Sequence, residues 1–169
     1  LPGIETTSGP LGCGLSQAAG MAYSLQYLGG NSERFVYCSL GDGELDEGNI
    51  WEAAMFAKKY NLANLIAIVD RNNIQIGGDT ENVMPLGDLA DKWRSFGWGA
   101  QEIDGHDHLA IIQAIDKAKN SRQPSVIIAH TIPGRGVDFM EYDYRWHGKS
   151  PNAEEAERAL AQLSEGGGE

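Results

Sequence analysis

The chain has 169 residues, with 24 Asp and Glu against 13 Lys and Arg and a formal net charge of −11. That length is enough for one domain with a real core, and the acidic balance argues against nucleic acid or an anionic membrane as principal partner, since both reward basic surfaces. No apolar run approaches the roughly 20 residues of a membrane helix, and the opening LPGIETTSGP lacks the basic start and apolar middle of a signal peptide. The expectation is a soluble, cytoplasmic protein. Its two cysteines, Cys13 and Cys38, lie in apolar surroundings without metal-type spacing and read as buried, reduced thiols.

Residues 1–10 have turn chemistry, with Pro2-Gly3 and then Thr6-Thr7-Ser8-Gly9-Pro10. From 15 to 28, Ala18, Ala19, Ala22, Leu25 and Leu28 recur at helical spacing, and Gly29-Gly30-Asn31 ends the helix. Residues 35–40, FVYCSL, form a short apolar strand that delivers Gly41-Asp42-Gly43. An Ala-rich helix follows over 48–60, with Lys58 and Lys59 in its last turn, where they suit the macrodipole. The uninterrupted run LIAIV at 65–69 predicts a central parallel strand covered on both faces.

Residues 72–85 lack periodicity and read as an ordered loop. A short helix is expected over 89–96, with Trp93 and Phe96 on one side, and a third strand over 99–103 ending at Asp104-Gly105-His106-Asp107. Residues 109–119 make an amphipathic helix built on Ile111, Ile112 and Ile115, with Asp107 as N-cap. PSVIIAH at 124–130 is a fourth strand, 131–151 a long polar and aromatic loop, and 153–163 a last helix. SEGGGE at 164–169 reads as a disordered tail. The 22 glycines mark turns, not an internal repeat.

Alternation of helix and strand predicts an α/β fold: a doubly wound, mostly parallel sheet with helices on both faces. Ligands in such sheets sit beyond the carboxyl ends of the strands. The groups there are Asp42, Asn72, Asp104 with His106, and the loop reaching His147. Four strands make a small sheet, so one edge is expected to be covered by something else.

The stretch from Gly41 to Ile76 concentrates the chemistry. Asp42 offers an anionic oxygen, Asn72 an amide oxygen and Ile74 a backbone carbonyl, which are the hard donors that Mg²⁺ or Ca²⁺ takes. Gly43 has no side chain, so its N–H can approach a phosphate closely, as can those opening the next helix. The dinucleotide fingerprint G-x-G-x-x-G fails because Asp46 stands where its third glycine belongs, and no Gly-Lys-Ser/Thr exists for a P-loop. Judged on Asp42 alone, an ordinary tight turn fits equally well.

Gly41-Asp42-Gly43 with Asn72 thirty positions after Asp42 resembles the thiamin diphosphate motif. The wording GDGELDEGNIWEAA and NLIAIVDRNNIQI is similar to transketolase, as are PGIETTSGPLGCGLSQAAGMA upstream and DGHD, HTIPGRGV and RWHGKSPN downstream. The likeness covers nearly the whole chain to about Pro151.

It implies a diphosphate-binding domain over 1–163 in which Asp42, Asn72 and the Ile74 carbonyl hold Mg²⁺, with Ca²⁺ as a substitute. Gly41 and Gly43 would face the diphosphate of thiamin diphosphate, and Gly9 and Leu11 its aminopyrimidine. His147 matches the family histidine beside the diphosphate and the reacting carbons. Glu47 and Glu52 would sit at a subunit interface, whereas the bland reading makes them solvated helix carboxylates. His106 matches a family turn, with structural capping at least as good a reading as substrate contact.

The implied reaction is transfer of a two-carbon ketol unit between sugar phosphates. The family's catalytic glutamate lies on a separate pyrimidine-binding domain, and the chain opens inside the family pattern, so the expectation is a shortened domain. It would be active only with a pyrimidine-binding C-terminal domain or subunit, in a dimer or heterotetramer. The alternatives are a non-catalytic binding or assembly module that keeps the fold, and another thiamin diphosphate-dependent ketol- or acetyl-transferring synthase.

Overall fold

In the computed structural model, residues 3–7, 9–29, 31 and 33–166 are described. Four parallel strands form the sheet in the order β1-β2-β6-β5. They are β1 (Val36–Gly41), β2 (Leu65–Arg71), β5 (Gly99–Asp104) and β6 (Ser125–His130). β1 pairs with β2 from Val36↔Leu65 to Gly41↔Asp70, so the two strands end level with each other. The central pair matches the expectation, with Leu65, Ile66, Ala67, Val69, Val126, Ile127 and Ile128 all buried. An apolar run without alternation is what a strand covered on both faces requires.

One face carries α1 (Cys13–Tyr27), α2 (Gly48–Lys59) and α4 (Leu89–Ser95). Ala18, Ala22, Ala54, Ala57 and Trp93 from these helices, with Trp98 just beyond α4, join Leu40, Ala67, Val69 and Ile128 in the larger core cluster. Phe96 stacks on Trp51 at 5.1 Å, and the buried Trp98 satisfies its indole N–H on the Ala54 carbonyl at 3.0 Å. The other face carries α5 (His108–Lys119), packed through Ala114 and Ala118 on Ile66 and Ile127. Asp107 caps α5 by accepting from the N–H groups of Leu109 and Ala110.

Several local expectations need correction. Ile112 is not part of the α5 face that meets the sheet; it is 57% exposed, because Ala114 and Ala118 take the inward positions with Ile111 and Ile115 beside them. Leu28 is exposed rather than buried, since α1 stops at Tyr27 and Gly29 turns the chain at φ 83°. Cys38 is buried, but Cys13 at the start of α1 is only partly so.

Residues 72–85 contain a small hairpin, β3 (Ile74–Gln75) with β4 (Gly78–Asp79), followed by a single helical turn α3 (Thr80–Val83). The last helix, α6 (Ala153–Gly166), takes in the first three residues of the expected tail. There Ser164 donates its hydroxyl to the Leu160 carbonyl, continuing the helical pattern. Residues 167–169 of that expected tail lie outside the described residues.

Candidate active site

The ends of β1 and β2 build the site. β1 finishes at Gly41, and the Asp42 N–H continues the ladder by donating to the Asp70 carbonyl at 3.2 Å. A 3₁₀ turn over Gly43–Asp46 then leads into α2. Asp42 is 1% exposed, so its carboxylate must be satisfied from within. Oδ1 accepts from the Gly43 N–H at 2.8 Å; Oδ2 accepts from the Asn73 N–H at 2.7 Å and from Arg71 Nη1 at 3.0 Å. Burial pushes the Asp42 carboxyl above its ordinary value, and these donors with the Arg71 charge pull against that push.

Asn73 makes this geometry at φ 65°, a left-handed conformation that Asn tolerates better than most residues. It turns the chain from β2 into the hairpin. Asn72 lies just before it, with Nδ2 donating to Asp70 Oδ2 at 3.1 Å and Oδ1 accepting from the Ile74 N–H at 3.0 Å. The other Asp70 oxygen takes the Thr131 hydroxyl, which ties the end of β2 to the loop after β6.

Gly43 is a glycine for steric reasons. A Cβ there would stand 2.8 Å from Gln75 Oε1 and 2.9 Å from Gln75 Cβ, so the hairpin lies directly over the turn. The buried Nε2 of Gln75 has no hydrogen-bond partner among the described residues.

Glu44, which carries no signal in the sequence pattern, joins two segments. Its Oε1 accepts from the Gly12 N–H at 2.7 Å and its Oε2 from the Gly41 N–H at 3.1 Å. One carboxylate therefore fixes the segment holding Gly9 and Leu11 relative to the Gly41-Asp42-Gly43 turn. Gly12 sits at φ 79°, with Asn49 Oδ1 1.9 Å from where its Cβ would stand, so only glycine fits the approach. That Asn49 oxygen is also buried without a partner among the described residues.

The remaining predicted residues are more dispersed. Gly9 and Leu11 are exposed, Leu11 at 59%. Glu47 is the N-cap residue of α2, and Glu52 lies one turn inside it; both are exposed. His147 ends a 3₁₀ turn over Tyr144–Trp146 and is exposed; its backbone N–H donates to the Tyr144 carbonyl. His106 makes a bracing contact: its Nε2 accepts from the Ile132 N–H at 2.7 Å, which holds the loop after β6. Beside Asn72, a groove of about 460 Å³ is lined by Ile68, Asp70, Ile103, His106, Ile127 and Thr131 among others.

The donor set fits a hard cation joined to a phosphate. Its members are all oxygens, one of them a buried anion, at the carboxyl ends of two neighbouring strands. The unpartnered Gln75 amide beside Gly43 adds a hydrogen-bond donor that an anionic ligand would satisfy.

A doubly wound parallel sheet with these groups at its strand ends defines an α/β domain of the phosphate-binding class. The chain belongs to the transketolase family: the model for the transketolase thiamine diphosphate binding domain matches residues 1–164. Against an apulose-4-phosphate transketolase subunit from Phocaeicola vulgatus, identity is 42% over 166 residues, covering 98% of this chain and 58% of that one. Against the 6-deoxy-6-sulfo-D-fructose transketolase subunit SqwG of a Clostridium species, it is 44% over 166 residues, covering 98% and 60%.

Human transketolase is 40% identical over 159 residues, covering 94% of this chain and 25% of that one. The crystal structure of transketolase from Campylobacter jejuni superposes with a TM-score of 0.88 at 34% identity, over 96% of this chain and 26% of that chain. Transketolase from Pichia stipitis, in complex with sedoheptulose-7-phosphate, gives 0.86 at 32%, over 97% and 26%. The chain thus spans about three-fifths of the two bacterial subunits and a quarter of the larger transketolases.

Proposed function

We propose that this chain supplies the diphosphate-binding half of a transketolase site and works with a pyrimidine-binding partner domain or subunit. The observation that carries the reading is Asp42: a buried carboxylate at a strand end, held by backbone N–H groups from Gly43 and Asn73. With the Asn72 amide oxygen and the Ile74 carbonyl it would hold Mg²⁺, or Ca²⁺ in its place, and through the ion the diphosphate of thiamin diphosphate. When bound, that cofactor supplies a nucleophilic carbon and an electron sink for carbon–carbon cleavage.

The protein's own groups bind, orient and move protons. Asp42 is an anchor, not an acid or base. Gln75 offers its unpartnered amide donor to diphosphate oxygens, the Gly43 N–H being already given to Asp42 Oδ1, and Gly9 and Leu11 flank the aminopyrimidine. His147, exposed on its loop, is free to carry a proton to or from a sugar phosphate. Glu47 and Glu52 face a neighbouring subunit in a dimer or heterotetramer. Two relatives that are themselves named as transketolase subunits support the need for a partner.

The test is ketol transfer between sugar phosphates by the purified chain with thiamin diphosphate and Mg²⁺, with and without a pyrimidine-domain partner. Turnover is expected only with the partner. Clear turnover by the chain alone would refute the divided site, and cofactor binding without turnover under either condition would favour a binding module.

A further inference from the structure

Arg71 stands against the Asp42 carboxylate of the candidate metal site although its charge is opposite to what a cation site calls for. Positioned on β2 two residues after Val69, it points into the covered side of the sheet and is 8% exposed. Its guanidinium is held from three sides. Nη1 donates to Asp42 Oδ2 at 3.0 Å and to the Thr80 hydroxyl at 2.8 Å, and Nη2 donates to Glu81 Oε1 at 2.5 Å. Glu81 is about half exposed and also accepts from the Leu86 N–H. Arg71 thereby links the turn after β1, the end of β2 and α3.

The arrangement fixes both the charge and the open coordination position at Asp42. Each carboxylate oxygen has two acceptor positions. On Oδ2, the Asn73 N–H and Arg71 fill both; on Oδ1, the Gly43 N–H fills one, leaving a single position among the described residues. Arg71 lies against Asp42 and shares its charge with Glu81, and the other donors of the set, Asn72 and the Ile74 carbonyl, are neutral. A bare dication would approach Asp42 with a fixed positive charge in contact with its only anionic ligand. An anionic diphosphate brings the missing negative charge with it.

We propose that Arg71 makes the site selective for a divalent metal already paired with diphosphate, and weak for the bare ion. This rests on the reading of Asp42 as the metal anchor. Arg71 acts through Asp42, as a positioning and charge-setting residue. Removing its charge by Arg71→Gln takes the fixed cation away from Asp42, so the bare ion gains a site. Arg71→Lys keeps the charge and should keep the selectivity.

The experiment is thermal unfolding of the purified chain in MgCl₂ alone, in thiamin diphosphate alone and in both, each against NaCl of equal ionic strength. The wild type should respond to the pair and not to MgCl₂ alone. Arg71→Gln should be stabilised by MgCl₂ alone, with a half-saturating concentration lower by about tenfold or more, as expected for removing a unit charge this close to a dication. Arg71→Lys should behave as the wild type.

A wild type stabilised by MgCl₂ alone as strongly as by the pair would overturn the proposal while leaving Asp42 as anchor; so would an Arg71→Gln chain with no gain in its MgCl₂ response. If Arg71→Gln does not fold, the wild-type and Arg71→Lys arms still decide. A wild type that responds to no combination, and matches Asp42→Asn throughout, would remove the anchor reading and this proposal together.

Discussion

Glu44→Ala removes a single carboxylate and should loosen two segments well separated in the chain, at Gly12 and Gly41. Its two bonds, 2.7 Å to the Gly12 N–H and 3.1 Å to the Gly41 N–H, have a charged acceptor. Such bonds contribute about 1.5–3 kcal/mol each. Glu44 is only partly buried, so water can reach part of what it leaves behind, and the lower half of the range applies: about 3–4.5 kcal/mol for the pair. At about 2–4 °C per kcal/mol for a chain of this size, the unfolding midpoint should fall by roughly 6–18 °C. Glu44→Gln keeps one acceptor oxygen and should lose about half as much.

The same substitutions have a second readout. Cys38 is pushed up to about 11, chiefly by burial and secondly by the Glu44 charge, so either variant should lower the thiol titration modestly and leave it above its ordinary value. Calorimetry with a thiol-absorbance titration measures both. A midpoint within about 1 °C of wild type would show that the Glu44 bridge holds nothing together, and the coupling of the Gly9 segment to the Asp42 turn would fall with it.

Cys38 also predicts an alkaline limit. A thiol raised from 9.0 to about 11 on folding leaves stability intact below pH 9 and removes it as pH rises toward 11, by up to about 2.7 kcal/mol. Urea midpoints should fall over that window and stay flatter in Cys38→Ala; parallel curves would contradict the assignment. Gly43→Ala places a methyl within 2.9 Å of Gln75 Cβ and should cost about 1–3 kcal/mol by denaturant unfolding, with weaker cofactor binding. An unchanged midpoint would mean that the hairpin lifts freely from the turn. His147→Ala should leave stability within about 0.5 kcal/mol, since the residue is exposed. In the presence of a partner it should slow ketol transfer by about 10²-fold or more; unaltered turnover would exclude it as a proton carrier.

Much of the fold was legible because the sheet is buried on both sides where it matters. The runs at Leu65–Arg71 and Ser125–His130 are apolar without alternation, and each ends in polar residues at the ligand side. The motif at Asp42 and Asn72 was legible for the same reason, since both sit where an apolar run stops. The hairpin from Ile74 to Asp79 was not, because two-residue strands have no period; Gly77-Gly78 was its only signal. Nor was the inward face of α5, where Ala114 and Ala118 meet the sheet and the expected Ile112 faces solvent.

Arg71 was missed because the strand was expected to end at Val69. Two further residues of β alternation put it on the same buried side as Val69, next to Asp42. Glu44 has no sequence signal at all. Its partner at Gly12 is 32 residues away, and only the packing of α1 on α2 brings them together.

Asp42 as the anchor of a metal-bound diphosphate is open to direct measurement. Titrating thiamin diphosphate into the purified chain with Mg²⁺, followed by tryptophan fluorescence and calorimetry, tests it most directly when wild type and Asp42→Asn are compared with and without a pyrimidine-domain partner. Saturable, Mg²⁺-dependent binding is expected of the wild type, strengthened by the partner and lost in a folded Asp42→Asn chain. Equal binding by the two chains, or binding indifferent to Mg²⁺, would contradict it.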